Sequence, residues 1–277
     1  MIVNGKQLAE NLAHNLVAQI TASKKELRLG IVMVGEDPRS LAFIRQKEKF
    51  AEMIGCQTRI YKFPADISTS KLRVEVSKIV HIPQNHGVIV QMPLPESINE
   101  QNILNAVVPD KDVDVLSARA VGDAMVGTAK VLPPVVAALQ AILTSADISN
   151  VSGMEAVVVG AGRLVGRPVA SWLIREGANV SVLNDSMPDI SIYTKRADLV
   201  VMGAGVPGLL KGDMIKKGAI VIDAGTSESG GKILGDVDTD SVSPKASVFA
   251  PVPGGIGPLT VAMVFQNLVT LALGAKH

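Results

Sequence analysis

A chain of 277 residues with a net charge of +1 and no basic run offers no electrostatic footprint for nucleic acid. Hydrophobic residues make up 47% and charged residues 19%, which excludes disorder, and 3% aromatics leaves the core to aliphatic side chains. The single cysteine, Cys56, excludes intramolecular disulfides and multi-cysteine metal sites, and the length favours two domains over one.

The N-terminus lacks a basic-then-apolar leader pattern. The first strand signal is LRLGIVMVG, a β-branched run closed by Gly35. A helix is predicted from about Pro38 to Met53, with proline suited to its first turn. In it Phe43, Phe50 and Ile54 fall on one apolar stripe, and Lys47 sits inside that stripe. Two readings are open for this lysine. Its stem packs while its head reaches water, or it is aimed into a pocket with a lowered pKa, ready for proton transfer.

TRIYKF then reads as a strand, SKLRVEVSKIVH as a helix, GVIVQM as a strand, INEQNILNAV as a helix and DVDVL as a short strand or turn. This rhythm predicts a mostly parallel sheet covered on both faces, with ligands at the carboxyl ends of its strands. Gln91 and Asp114 end two of these segments, so with Lys47 on the first helix three polar residues from three elements are expected to converge on one crevice. Residues 117–134 carry small residues, glycines and two prolines, and the domain boundary is placed there. The helix VVAALQAILTSA leads into the second half.

The second half opens with strand, glycine turn, helix and strand in EAVVVGAGRLVGRPVASWLIREGANVSVLND. Gly160, Gly162 and Gly166 form G-x-G-x-x-x-G, one residue longer than the common dinucleotide fingerprint. The physical need is unchanged: a tight turn, and a backbone close enough to hold pyrophosphate at a helix N-terminus. Asp185 closes the next strand where a carboxylate accepts hydrogen bonds from a ribose. ADLVVMGAG and GAIVIDAGT read as buried strands. PVPGGIGP is a rigid turn before a last helix, which Pro258 is placed to start. The apolar stretch LTVAMVFQNLVTLALGA contains Gln266 and Asn267 and reads as short for a membrane span. The four histidines are scattered without metal-ligand spacing. GDVDTD, with Asp236, Asp238 and Asp240, lacks a full cation-loop pattern and reads as a solvated turn. Cys56 reads as structural or inert.

GEDPRSLAFIRQK, GVIVQMPLP, PDKDVD, VVVGAGRLVGRP, ADLVVMGAG, GDMIKKGAIVIDAG and APVPGGIGPLT, in this order, resemble the bifunctional methylenetetrahydrofolate dehydrogenase/cyclohydrolases of the bacterial FolD type. The resemblance runs nearly end to end. It implies an α/β fold: an N-terminal α/β folate-binding catalytic domain (residues 1–118), completed by the C-terminal helix (256–277), with a Rossmann-type parallel-sheet NAD(P)-binding domain at 119–255. It implies oxidation of 5,10-methylenetetrahydrofolate to the methenyl form and hydrolysis of that to 10-formyltetrahydrofolate. One-carbon metabolism, purine biosynthesis, a cytoplasmic location and a homodimer go with it, and neither nucleic acid nor membrane is expected as a partner. Lys47 matches the catalytic lysine of Ser-x-x-Tyr-x-x-x-Lys, Gln91 the glutamine that orients it and Asp114 the pterin-binding aspartate. Phe43, Pro93, Gly255 and Pro258 fall at substrate-binding positions. Gly160, Ala161, Gly162, Arg163, Gly166, Asp185 and Thr226 fall at cofactor-binding ones, and no metal is implied.

The departures are specific. Phe43 stands where the family has tyrosine, Val115 where it has glycine after the aspartate, and Gly162 where it has serine. LPPVV replaces its Pro-Cys-Thr-Pro segment. The resemblance points to NADP, while a carboxylate at Asp185 repels a 2′-phosphate and tilts toward NAD, with Arg163 near enough in sequence to offset it. A dehydrogenase with weakened hydrolysis, or a folate- or nucleotide-binding homologue without turnover, are the alternatives.

Overall fold

The computed structural model describes residues 1–184, 186–229 and 232–274, so Asp185 and His277 lie outside the described residues. In chain order the elements are α1 (Gly5–Ser23), β1 (Arg28–Val34), α2 (Pro38–Ile54), β2 (Gln57–Phe63), α3 (Thr69–His81), β3 (Gly87–Val90), α4 (Glu100–Leu104), α5 (Ala118–Val126), α6 (Pro134–Ser145) and β4 (Glu155–Val159). There follow α7 (Gly166–Arg175), β5 (Asn179–Leu183), α8 (Ser191–Thr194), β6 (Leu199–Met202), β7 (Ile220–Asp223), β8 (Ser227–Ser229), β9 (Lys232–Leu234), α9 (Thr239–Val242), β10 (Val248–Ala250) and α10 (Ile256–Leu273). They divide into two units. One, here the lysine unit, comprises residues 10–134 and 261–277; the other, the glycine-turn unit, comprises 1–9 and 135–260.

In the lysine unit β2, β1 and β3 pair in parallel in that order. The central strand β1 is buried along nearly its whole length, as a strand covered on both faces must be, whereas the edge strand β2 is half exposed. The helix after β1 starts where the Asp37 carboxylate accepts from Ser40 N at 2.8 Å, with Pro38 at its first position. It stops at Gly55, whose φ of 71° lets its N–H reach back to Glu52 O. Its buried face is Ile44, Lys47, Phe50, Ala51 and Ile54. Phe43, expected in that stripe, is 37% exposed and lies at its margin, because the core-facing row runs through Ile44 instead.

The C-terminal helix α10 serves the same core. Phe265 meets Phe50 with ring centroids 5.4 Å apart, and a side chain on Gly87 would come within 2.8 Å of Leu268. Contrary to the expectation from its polar residues, α10 is long and apolar enough to cross a membrane by length and composition, but Phe265, Leu268 and Val269 are fully buried within the protein. Residues 117–134, where the domain boundary is expected, are not without regular structure. They hold α5, capped by Ser117 at its start and by left-handed Gly127 at its end. The helix expected over 98–107 is only Glu100–Leu104, started by Asn99.

In the glycine-turn unit the strand order is β10-β7-β6-β4-β5, all parallel. The chain leaves β4 to one side for β5 and then returns to β6 on the other. That makes β4/β6 the topological switch point, where the loops after two strands diverge and leave a crevice. The central strands β4, β6 and β7 are almost fully buried runs of valine and isoleucine. Val3 N donates to Phe249 O at 2.8 Å, so the extreme N-terminus lines the β10 edge.

Candidate active site

Lys47 is buried on α2, and its ammonium donates to Gln91 Oε1 at 3.1 Å. Gln91 follows β3 and keeps its backbone paired to Val32 O, so its side chain starts from a fixed point. Its Nε2 donates to Met92 O at 2.8 Å, which leaves the amide oxygen facing the lysine. Burial pulls the Lys47 pKa below the ordinary lysine value, and the Asp114 charge pulls partly back. Burial pushes the Asp114 carboxyl up to about 6; Lys47 lowers it and Asp112 raises it. The Lys47 Nζ lies 5.9 Å from the Phe43 ring centroid, at the outer reach of a cation–π contact. The structure thus groups Lys47, Gln91, Asp114 and Phe43. A buried lysine of lowered pKa, held by a neutral amide beside a carboxyl that titrates near 6, is equipped to move protons. Pro93, two residues past Gln91, is exposed and follows a cis peptide bond.

Three residues to which sequence reasoning gave no role in the site build the loop carrying Asp114. The buried Asp112 carboxylate accepts from Leu116 N at 3.1 Å and Ser117 N at 2.8 Å. Asn267, buried on α10, donates from one Nδ2 to Val113 O and Leu132 O, both at 2.8 Å. Val115 holds φ = 57°, a left-handed conformation that a β-branched residue rarely adopts. The signal for the last was present in the sequence: a valine occupying the family's glycine position.

The glycine turn follows β4. Gly160 has φ = 99°, and a Cβ there would fall 2.2 Å from Gly203 O; a Cβ on Gly166 would fall 1.7 Å from Gly160 O. These two positions admit only glycine. Gly162 meets nothing within 4 Å, so its lack of a side chain leaves open space rather than relieving a clash. No side chain caps the start of α7, but Arg167 N donates to Gly162 O at 3.0 Å and Pro168 has no N–H, so of the first three residues of α7 it is Gly166 whose amide is left for an anion. Ala161 O is held by Arg167 Nε at 2.9 Å, and Ala161 and Arg163 are partly buried in the turn. The backbone there is a cradle that side chains would fill, and it fits the pyrophosphate of a dinucleotide. Thr226 is exposed in the loop after β7.

Gly255 and Pro258 belong to the glycine-turn unit. Gly255 is buried, its N–H donating to Pro251 O at 2.7 Å, and α10 begins at Ile256, two residues before Pro258. Cys56 is buried and burial pushes its thiol up to about 12, so it is inert as a nucleophile. No cluster of metal ligands occurs among the described residues. One expectation is overturned: in GDVDTD, Asp236 has no solvent exposure at all, because its carboxylate turns inward to backbone amides.

Two family models match in tandem: the catalytic domain of tetrahydrofolate dehydrogenase/cyclohydrolase over residues 3–114, and the NAD(P)-binding domain of the same family over residues 133–276. The chain belongs to the tetrahydrofolate dehydrogenase/cyclohydrolase family. It is thus an enzyme with an NAD(P)-binding domain. Among relatives of this tetrahydrofolate dehydrogenase/cyclohydrolase, the bifunctional protein FolD of Geobacillus thermodenitrificans is 36% identical over 281 residues, covering 99% of both chains. A crystal structure of the bifunctional FolD of Campylobacter jejuni superposes with a TM-score of 0.94 at 35% identity, covering 99% of both chains. The Trypanosoma brucei FolD, solved with NADP cofactor and an inhibitor, superposes at 0.93 with 30% identity, covering 99% of this chain and 97% of that one.

Proposed function

We propose that this chain oxidises 5,10-methylenetetrahydrofolate with a nicotinamide nucleotide and hydrolyses the resulting methenyl compound to 10-formyltetrahydrofolate, with Lys47, Gln91 and Asp114 as the working residues. The observation that carries this reading is the buried Lys47–Gln91 hydrogen bond beside Asp114, in a chain that matches the family over its length.

A nicotinamide nucleotide supplies the hydride acceptor. Gly160, Ala161, Gly162, Arg163, Gly166 and Thr226 are the residues that would hold it, and the Gly160–Gly166 cradle supports that assignment. Asp114 binds the pterin. Phe43, Pro93, Gly255 and Pro258 contribute to the folate site. In hydrolysis water adds to the cationic methenyl carbon and Lys47, whose pKa burial lowers, takes the proton released by that water; the carbon–N5 bond of the adduct then breaks, N5 takes a proton, and the formyl group stays on N10. Gln91 accepts from Lys47 and so holds its nitrogen in place.

The folate role is assigned to residues 1–118 and 256–277 and the nucleotide role to 119–255. Asp185 favours NAD over NADP by charge, while the NADP held by the Trypanosoma relative speaks for NADP as a second usable cofactor. The chain acts in the cytoplasm as a homodimer, with neither nucleic acid nor membrane as partner, and its product is a one-carbon donor for purine biosynthesis. The test is an assay of purified protein on methylenetetrahydrofolate with NAD and with NADP. Reduced nucleotide and methenyl absorbance are followed separately. Formation of reduced nucleotide followed by methenyl decay faster than the spontaneous rate is expected; no reduced nucleotide from either cofactor overturns the reading.

A further inference from the structure

Two buried carboxylates of the glycine-turn unit take no part in the chemistry above. Asp223 ends β7 and is 1% exposed; Asp236 is 0% exposed. They are linked in series through the backbone. Asp223 Oδ1 accepts from Gly225 N at 3.0 Å and Asp236 N at 3.1 Å, and its Oδ2 accepts from Val237 N at 3.0 Å. Asp236 Oδ2 in turn accepts from Ala204 N at 2.6 Å and Gly205 N at 3.0 Å. The space for this is made by glycine: a Cβ on Gly225 would fall 2.0 Å from Asp236 Cγ, and one on Gly235 would fall 2.0 Å from Asp223 Oδ2.

The amides that Asp236 grips open the loop after β6, which flanks the switch point opposite the glycine turn. Gly203 O, one residue before them, occupies the space where a Gly160 side chain would lie, and Gly160 O occupies that of Gly166. Backbone contact therefore runs from Ala204 and Gly205 through Gly203 and Gly160 to the first residue of α7. The arrangement is costly. Asp236 Oδ1 is buried without a hydrogen-bond partner among the described residues, and burial raises the pKa of both carboxyls, Asp223 to about 6. A fold that bears this cost at a cofactor crevice gains two charge-assisted bonds to the loop.

We propose that Asp236 is a positioning residue for the nicotinamide nucleotide, its carboxylate fixing the loop at Ala204–Gly205 against the Gly160 turn. This rests on the cofactor site assigned above. The test compares Asp236→Ala and Asp236→Asn with the parent, measuring kcat and KM for the nucleotide at saturating methylenetetrahydrofolate. The same preparations are assayed for hydrolysis of supplied methenyltetrahydrofolate. For Asp236→Ala the nucleotide KM is expected to rise roughly tenfold or more with kcat within about threefold of the parent; for Asp236→Asn, whose amide oxygen still accepts but without charge, the rise is about threefold. Hydrolysis in folded protein should hold. An unchanged nucleotide KM in both variants overturns the proposal. So does a parallel fall in kcat and hydrolysis with no change in KM, which marks a packing role only. If Asp236→Ala does not fold, Asp236→Asn decides alone, and a parental KM there overturns it. A parent without nucleotide-dependent oxidation defeats the cofactor reading itself, which separates the two failures.

Discussion

Lys47 donates to Gln91 Oε1 at 3.1 Å, and the other end of the same amide is occupied by Met92 O at 2.8 Å. The glutamine therefore presents a neutral acceptor, which suits the proton-accepting role proposed for Lys47. A carboxylate in its place would favour the ammonium and raise the Lys47 pKa. For Gln91→Glu, hydrolysis of methenyltetrahydrofolate at neutral pH should fall and its pH–rate profile should shift alkaline by roughly one unit. Rates between pH 6 and pH 10, corrected for spontaneous hydrolysis, check this. An unshifted profile means that Lys47 does not titrate in the rate-limiting step.

Asp114 gives a prediction for stability. Its folded pKa, about 6, lies above the ordinary carboxylate value, so the folded state holds this proton more tightly than the unfolded chain. The resulting stabilisation is fully present below about pH 4 and is lost as the pH rises through about 6, with a ceiling of roughly 3 kcal/mol. Asp114→Asn should flatten the dependence of Tm on pH between these limits. Asp223 titrates in the same window and leaves a residual slope. Thermal melts of both proteins across that range are the measurement, and equal slopes would refute the assignment.

Val115 sets a steric argument against a packing one. It is 2% exposed, packs with Ala120 and Val131, and holds φ = 57°. Its burial is worth about 2 kcal/mol, while the left-handed backbone costs an L-residue roughly 1–2 kcal/mol. Removing the side chain should therefore be near neutral to mildly destabilising. The order of two truncations is the sharper test. At an ordinary φ, alanine is more stable than glycine by roughly 1 kcal/mol; here Val115→Gly should melt above Val115→Ala. The opposite order would show that this loop relaxes out of the left-handed region.

The parts of the fold that sequence reveals are those with a local cause. Val158 and Val159 before Gly160, and an apolar helix face after Gly166, identify a strand–turn–helix because each signal lies within a few residues of the next. The Lys47 stripe is legible in the same way, though its margin at Phe43 is not, since neighbouring rows of a helix differ only by what packs on them. Asp236 shows where local reasoning fails. Among Asp238, Asp240 and Ser241 it looks solvated, yet its partners are amides 31 and 32 residues away. Asn267 is further still, 154 residues from the carbonyl it holds beside Asp114. Neither contact has a sequence signature, because each exists only once the loops are closed.

The proposed preference for NAD rests on a residue read from the sequence. A carboxylate at Asp185, after the second strand of the nucleotide-binding motif, disfavours a 2′-phosphate and suits a 2′-hydroxyl. Asp185→Ser should raise the ratio of kcat/KM for NADP over NAD by an amount on the order of 1 kcal/mol, about fivefold. Steady-state kinetics with both nucleotides measure it. A constant ratio would assign the choice to another residue, with Arg163 the first to replace.

The hydrolytic half of the proposed function is tested at Phe43 and Lys47. The ring centroid lies 5.9 Å from the ammonium, but phenylalanine brings no hydroxyl to orient it, and the ring is itself 37% exposed. The lowered pKa of Lys47 comes first from burial, so it survives without a tyrosine; what is missing is a hydrogen-bond partner. One such bond contributes about 1 kcal/mol, so Phe43→Tyr should raise hydrolysis of methenyltetrahydrofolate roughly fivefold. Lys47→Met keeps an unbranched stem of similar length in the stripe, so packing is preserved and only the nitrogen is lost. That variant should hydrolyse at the spontaneous rate while still binding nucleotide, since the glycine turn belongs to the other unit. Binding of the nucleotide, followed by its fluorescence or by calorimetry, confirms that the variant is folded. If Lys47→Met hydrolyses as fast as the parent, Lys47 contributes only its stem to the α2 core, and the proton must be taken by another group.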